Sequence, residues 1–367
     1  MATRHRMMLQ APKIYFAKSA MLEPATSDTS TSGSNLPPNN LFVGPSGLRP
    51  FWRLLLYLAI LLAPVLLFVV AGQLADNKDL PNTTALHEIS PLIAGINEWL
   101  QLGYVFLATW IMSRIEGRNV FSYGFSRVPR LLRWVLFGAL LGLVFQSLLI
   151  GILWKTHHLA FDGVLLHGLS AMRYGLEWAI VFVGVGFFEE FLFRGYLQFN
   201  LTECMAALVR YLSPTNKHAE AIGFWSAAAL ISFGFGLTHS FNPGESSIGL
   251  LCAGCAGLMF AFSLWRTGSL WWAIGLHTAW DWAQSFLFGV ADSGSISAHR
   301  LLSTHPVGPA WLSGGATGPE GSIFVLPVMA VLLIIAAVTL PRTRTSFLGH
   351  SLHEETPLVH EVNSAEG

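Results

Sequence analysis

Charged residues are scarce in this sequence. Lys and Arg together number 21 of 367 residues, Asp and Glu another 21, and the charged share is 11%. Soluble domains carry roughly 25%, so there is too little charge here to coat a water-soluble globule. The net charge of zero supplies no field for a nucleic-acid partner, and none is expected. Cysteine is scarce too. Cys204, Cys252 and Cys255 are too few for a disulfide framework, and Cys252 and Cys255 lie in an apolar run where small side chains serve helix packing. What abounds is apolar, with 53% hydrophobic residues and a mean hydropathy of +0.52. That excludes disorder for most of the length and points to a polytopic membrane protein.

The apolar residues fall into runs of spanning length, about 20 residues each. Eight are read: Trp52–Leu74, Ile93–Met112, Leu131–Trp154, Leu176–Leu197, Ile222–Thr238, Ile248–Trp265, Leu270–Phe288 and Ile323–Leu340. The fold class expected is all-α, a membrane bundle of about eight transmembrane helices occupying residues 51–345. Residues 1–50 are polar, with a Ser, Thr, Asn and Pro-rich stretch, and read as a disordered cytoplasmic tail. Residues 346–367 read as a short cytoplasmic tail. With an even number of spans both termini share one side. Only Lys78, Lys155, Arg173 and Arg300 of the 21 Lys and Arg fall opposite, so the positive-inside rule makes both termini cytoplasmic. With no organelle address recognised, a bacterial inner membrane is the expected location. Gly138 and Gly142 form a GxxxG that lets helices approach closely.

An ionisable side chain inside a span costs several kcal/mol and marks a functional candidate. Glu98, beside Asn97 and Gln101, reads as a helix-to-helix hydrogen bonder. Glu177, near a helix end, reads as a snorkelling or capping residue. The run Glu189-Glu190-Phe191-Leu192-Phe193-Arg194 is harder to explain structurally. Residues four apart face each other on a helix, so Arg194 neutralises Glu190. Glu189, about 100° around, is left free to exchange a proton as a general base does. Phe235-Gly-Leu-Thr-His239 ends another apolar run. His277 and Asp281 share a helical face, where the carboxylate can orient the imidazole. Two glutamates, two histidines and an aspartate on three spans imply a hydrated polar pocket inside the bundle.

These motifs resemble the CPBP family of intramembrane proteases, the CAAX-protease and bacteriocin-processing family. Its pattern is EExxxR, FxxxH and HxxxN or HxxxD on successive helices, which here stand as Glu189-Glu190-x-x-x-Arg194, Phe235-x-x-x-His239 and His277-x-x-x-Asp281. The resemblance covers about residues 176–290. It implies that Glu189 and His239 activate the attacking water, that His277 and Asp281 support the oxyanion or position other groups, and that Glu190 and Arg194 hold the helix. Many family members carry Asn at the position of Asp281. Since an ionised Asp only accepts hydrogen bonds, His277 is given the donor role and Asp281 the supporting one. Glu189, His239 and His277 are suitable zinc ligands, yet there is no HExxH, and a carboxylate–histidine pair can activate water without metal. Zinc is left open.

The function expected is an intramembrane endopeptidase acting on a membrane-anchored or hydrophobic, CAAX-like substrate within the lipid bilayer. A proton-coupled carrier uses the same residue types but more often shows an inverted repeat, and none is found. A catalytically silent scaffold of the same fold is the third reading. One tension remains in the arithmetic. At 1.5 Å per residue, His277 lies about 12 Å and His239 about 25 Å from the same end. They can share a site only if the helix carrying His239 begins outside the bilayer or the boundaries shift.

Overall fold

The computed structural model of the chain describes residues 41–44, 47–74, 88–125 and 131–342. Most of the tail expected over 1–50, and all of the one over 346–367, lie outside the described residues. Order begins before Pro50, where β1 (Val43–Gly44) pairs antiparallel with β2 (Gly47–Leu48).

All eight apolar runs form helix. They are α1 (Pro50–Leu74), α2 (Pro91–Ile115), α3 (Leu131–Lys155), α4 (Gly168–Glu189) with its π-helical extension Glu190–Leu197, α6 (Ala219–Thr238), α7 (Ser247–Thr267), α8 (Trp271–Trp282) with its π turn Ala283–Leu287, and α10 (Val325–Thr339). The π segment runs straight into α5 (Gln198–Leu212), a helix the hydropathy pattern did not announce. Between α8 and α10 lies the single turn α9 (Ala310–Ser313). Local chemistry sets several ends. Ser90 caps α2 through the Ile93 amide, with Pro91 at the first position where no donor is needed. Gly268, at φ +66°, closes α7 in the left-handed conformation.

The protein is a helical membrane protein. Leu131–Lys155, Ala219–Phe241 and Ser247–Thr267 are each long and apolar enough to cross a bilayer. The expected count of about eight is not reached on that measure. α8, for example, has only 12 α-helical residues before its π turn.

Loops sort to two ends of the bundle. At one end β3 (Glu88–Ile89) pairs parallel with β5 (Ile296–Ser297), and β4 (Leu159–Val164) pairs antiparallel with β6 (Leu302–Pro306). Thr317 also bonds the Gly244 carbonyl there. The long connection after α8 therefore ties together all the loops described at that end. At the other end Phe125 bridges Ser269, and Glu203 of α5 takes both Arg53 and Arg118 at 2.8 and 2.7 Å.

Glycine sets the helix spacing that matters for the site. A Cβ on Gly138 would stand 2.2 Å from the Trp272 carbonyl oxygen, and one on Gly142 2.3 Å from that of Leu276. The GxxxG thus seats α3 directly on the backbone of α8. Gly186 does the same for α4, since its Cβ would meet Thr278 Oγ1 at 2.6 Å. Gln198 bonds the Phe224 carbonyl and Gly223 lies on Ala206 of α5, which packs the start of α6 against α5.

Candidate active site

The end of α4 carries the first motif. Arg194 Nη1 lies 3.0 Å from Glu190 Oε1, and both side chains are fully buried. The guanidinium is enclosed by aromatic faces, with its carbon 4.1 Å from the Phe235 centroid and 5.2 Å from that of Phe260. Room for it comes from Gly257, where a Cβ would stand 2.8 Å from Nη2. Cation–π contact takes the place of further hydrogen bonds on this buried charge. The pairing expected from the i, i+4 spacing is present. Glu189 points elsewhere, and its buried Oε2 receives no hydrogen bond from the protein among the described residues.

His277 meets both glutamates. Its Nδ1 is 3.1 Å from Glu190 Oε1, while Nε2 faces Glu189 Oε2 at 3.6 Å and Asp281 Oδ2 at 3.5 Å. The imidazole stacks on Phe260, centroids 5.3 Å apart. The carboxylate that orients the ring is therefore Glu190. Asp281, which the sequence suggests for that task, stands 3.5 Å from the other nitrogen, beyond ordinary hydrogen-bond range. Glu190 thus both neutralises Arg194 and aims His277.

His239 occupies a one-turn 3-10 segment, His239–Phe241, at the end of α6. Its Nδ1 lies 2.8 Å from the Phe235 carbonyl oxygen. Nδ1 is then the N–H donor, and the Nε2 lone pair is left free.

Glu189, His239, His277 and Asp281 all line one cavity of about 310 Å³. Glu98, Asp292 and Glu320 line it too. Among the described residues Glu98 bonds only the neighbouring Asn97 amide, at 3.3 Å on its own helix, and the helix-to-helix bond expected of it is not seen there. Asp292 and Glu320 were missed because the connection after α8 shows no periodicity. Charge scarcity was the available signal, since Asp292, Arg300 and Glu320 are the sole charged residues between Asp281 and Arg342.

Burial pushes the Asp292 carboxyl up to about 6, although the Ser285 hydroxyl donates to it. Burial, then the charge of Asp292, pushes Glu320 up to about 8, and Trp280 Nε1 donates to it at 3.0 Å.

Two donor sets carry metal-binding chemistry. Glu189, His239 and His277 fit zinc in residue type, although their ligand atoms do not come within 4.8 Å of one another among the described residues. Each ring has its Nδ1 occupied by an orienting acceptor, the arrangement that aims imidazole at a metal. Carboxylate oxygens of Asp281, Asp292 and Glu320 all lie within 4.8 Å of one another. That all-oxygen set suits a hard ion rather than zinc, and at neutral pH a proton held by Glu320 also lowers its charge.

Residues 171–283 match the family model of the type II CAAX prenyl endopeptidases, Rce1-like. That model is one of the CPBP/CAAX protease family, and the match covers less than a third of the chain. All three motifs of the CAAX-protease segment fall inside the match, which ends two residues after Asp281. No curated protein and no solved structure matches the chain. Membership in a protease family supports hydrolytic function and gives no support to the carrier or silent-scaffold readings.

Proposed function

We propose that the protein is an intramembrane endopeptidase that hydrolyses a peptide bond of a membrane-anchored substrate, with Glu189 as the base. The observation that carries this reading is the convergence of Glu189, His239, His277 and Asp281, all inside the matched segment, on one cavity. Glu189 lines the cavity and its side chain is 21% exposed, so a water can reach the carboxylate. Glu189, with the free Nε2 of His239, takes the proton as the water oxygen bonds the scissile carbonyl carbon. His277, carrying a proton on each nitrogen, donates from Nε2 to the developing oxyanion. Carboxylates of Glu189, Glu190 and Asp281 within 3.6 Å balance its charge. Zinc held by Glu189, His239 and an unprotonated His277 Nε2 would instead supply Lewis-acid polarisation of the water and carbonyl, in place of the His277 donor.

The substrate we propose is a prenylated peptide with a CAAX end, the class named in the description of the matched family. A second cavity, of about 510 Å³, supports this. It is lined by Trp99, Phe106, Phe121, Phe125, Phe187 and Trp271 among others. Its walls are nearly all apolar, which suits an isoprenoid chain. The eight helices would cross the bilayer with both termini cytoplasmic, as the Lys and Arg distribution implies, in a bacterial inner membrane.

The test is cleavage of a farnesylated CAAX peptide by the reconstituted protein in H₂¹⁸O, followed by mass spectrometry. One ¹⁸O in the new carboxylate is expected from direct attack by water. Absence of cleavage across a panel of prenylated and other membrane-anchored peptides would overturn the reading.

A further inference from the structure

We infer that Glu98 is the acid that protonates the leaving amine, an assignment that rests on the protease reading above. Glu98 is carried by α2, outside the matched segment 171–283, and belongs to none of the three motifs. It lines the cavity with Glu189. Its depth is set by Gly184 of α4, where a Cβ would meet Glu98 Cβ at 3.4 Å. Glu98 and Glu189 therefore reach one cavity of about 310 Å³, which has room for a water and the carbonyl it attacks.

A structural task for Glu98 is hard to find. Asn97 donates to Oε1 at 3.3 Å, and no Lys or Arg is among the residues lining the cavity. It therefore neither neutralises a cation there nor joins α2 to another helix by a hydrogen bond. A carboxyl group inside a span without such a task is costly, which is why a chemical one is assigned.

The protons balance. Glu189 takes one proton from the water as its oxygen bonds to the carbonyl carbon. The C–N bond breaks, and the nitrogen takes the proton carried by Glu98. The proton on Glu189 then passes to Glu98 through cavity water, restoring both groups. One water is consumed, and one carboxylic acid and one amine are released. Were Glu189 to return its own proton to the amine, Glu98 would be dispensable, and the experiment separates the two routes.

A farnesylated CAAX peptide is compared with its analogue bearing a thioester at the scissile bond, whose thiolate leaves without needing a proton. For Glu98→Gln, amide cleavage should fall about 100-fold or more, and the thioester-to-amide rate ratio should rise at least about 30-fold over wild type. Glu98→Asp should recover part of the amide rate. Equal loss on both substrates would make Glu98 structural and overturn the assignment, as would an unchanged amide rate. A wild type that cleaves neither substrate above empty membranes would instead bring down the protease reading, and this inference with it.

Discussion

Glu190 Oε1 receives Arg194 Nη1 at 3.0 Å and stands 3.1 Å from His277 Nδ1. One buried oxygen therefore joins the charge balance of α4 to the aim of the imidazole on α8. Glu190→Gln leaves Arg194 uncompensated in a fully buried position, which should cost about 3–5 kcal/mol. The expected outcome is a lower unfolding midpoint in detergent together with loss of cleavage. Adding Arg194→Met to Glu190→Gln should restore much of the stability without restoring cleavage. Recovery of both would mean that Glu190 serves only as the counterion.

Helix α3 is an indirect determinant of activity through its glycines. Gly138→Ala and Gly142→Ala put a Cβ 2.2 and 2.3 Å from backbone oxygens of α8, so α3 and α8 must separate and His277 moves with α8. Each should lower both the unfolding midpoint and cleavage. Gly151→Ala, on the same helix but with nothing within 4 Å, should match wild type in both assays.

Asp281 is expected to tolerate loss of its charge. Its Oδ2 stands 3.5 Å from His277 Nε2, and Glu190 already orients the ring. Asp281→Asn should keep cleavage within a few-fold of wild type, as the Asn of many family members suggests. Asp281→Ala, which removes the group from the cavity wall, should lose more. A severe loss in Asp281→Asn would show that the negative charge itself is needed.

Stability should fall with rising pH. Burial, the largest cause, holds Asp292 near about 6 and Glu320 near about 8, above their ordinary values of 3.8 and 4.5. Both groups bind protons more tightly folded than unfolded. The stability they contribute is full below about pH 4 and is lost as pH rises through about 6 and then about 8. Unfolding midpoints in detergent should decline between about pH 5 and about pH 9. Glu320→Gln should flatten the upper part of that decline. A midpoint that rises over the same range would contradict the assignment of these two groups.

The helices and the motif set were legible in the sequence because both depend on spacing. Apolar runs of spanning length mark α1 to α4, α6 to α8 and α10, and the i, i+4 rule alone pairs Glu190 with Arg194 while leaving Glu189 free. What stayed hidden depends on contacts between distant segments. Glu98 looked like a packing residue until Gly184 set it on the cavity wall. Asp292 and Glu320 reach that wall from a connection held by strand pairs such as Leu159–Pro306, which no periodicity announces. Helix α5 was hidden for another reason. Its buried Gln198, Asn200 and Thr202 interrupt the apolar run, so a hydropathy reading ends the helix at Leu197 although the backbone continues to Leu212.

The most direct measurement compares membranes containing wild type with membranes containing Glu189→Gln. Cleavage of a farnesylated CAAX peptide and of a panel of other membrane-anchored peptides is followed by mass spectrometry. Gln keeps the shape of the side chain and removes the base. The account requires cleavage by wild type and a loss of about 100-fold or more in the variant. Equal cleavage by the two would contradict the central claim that Glu189 activates the water.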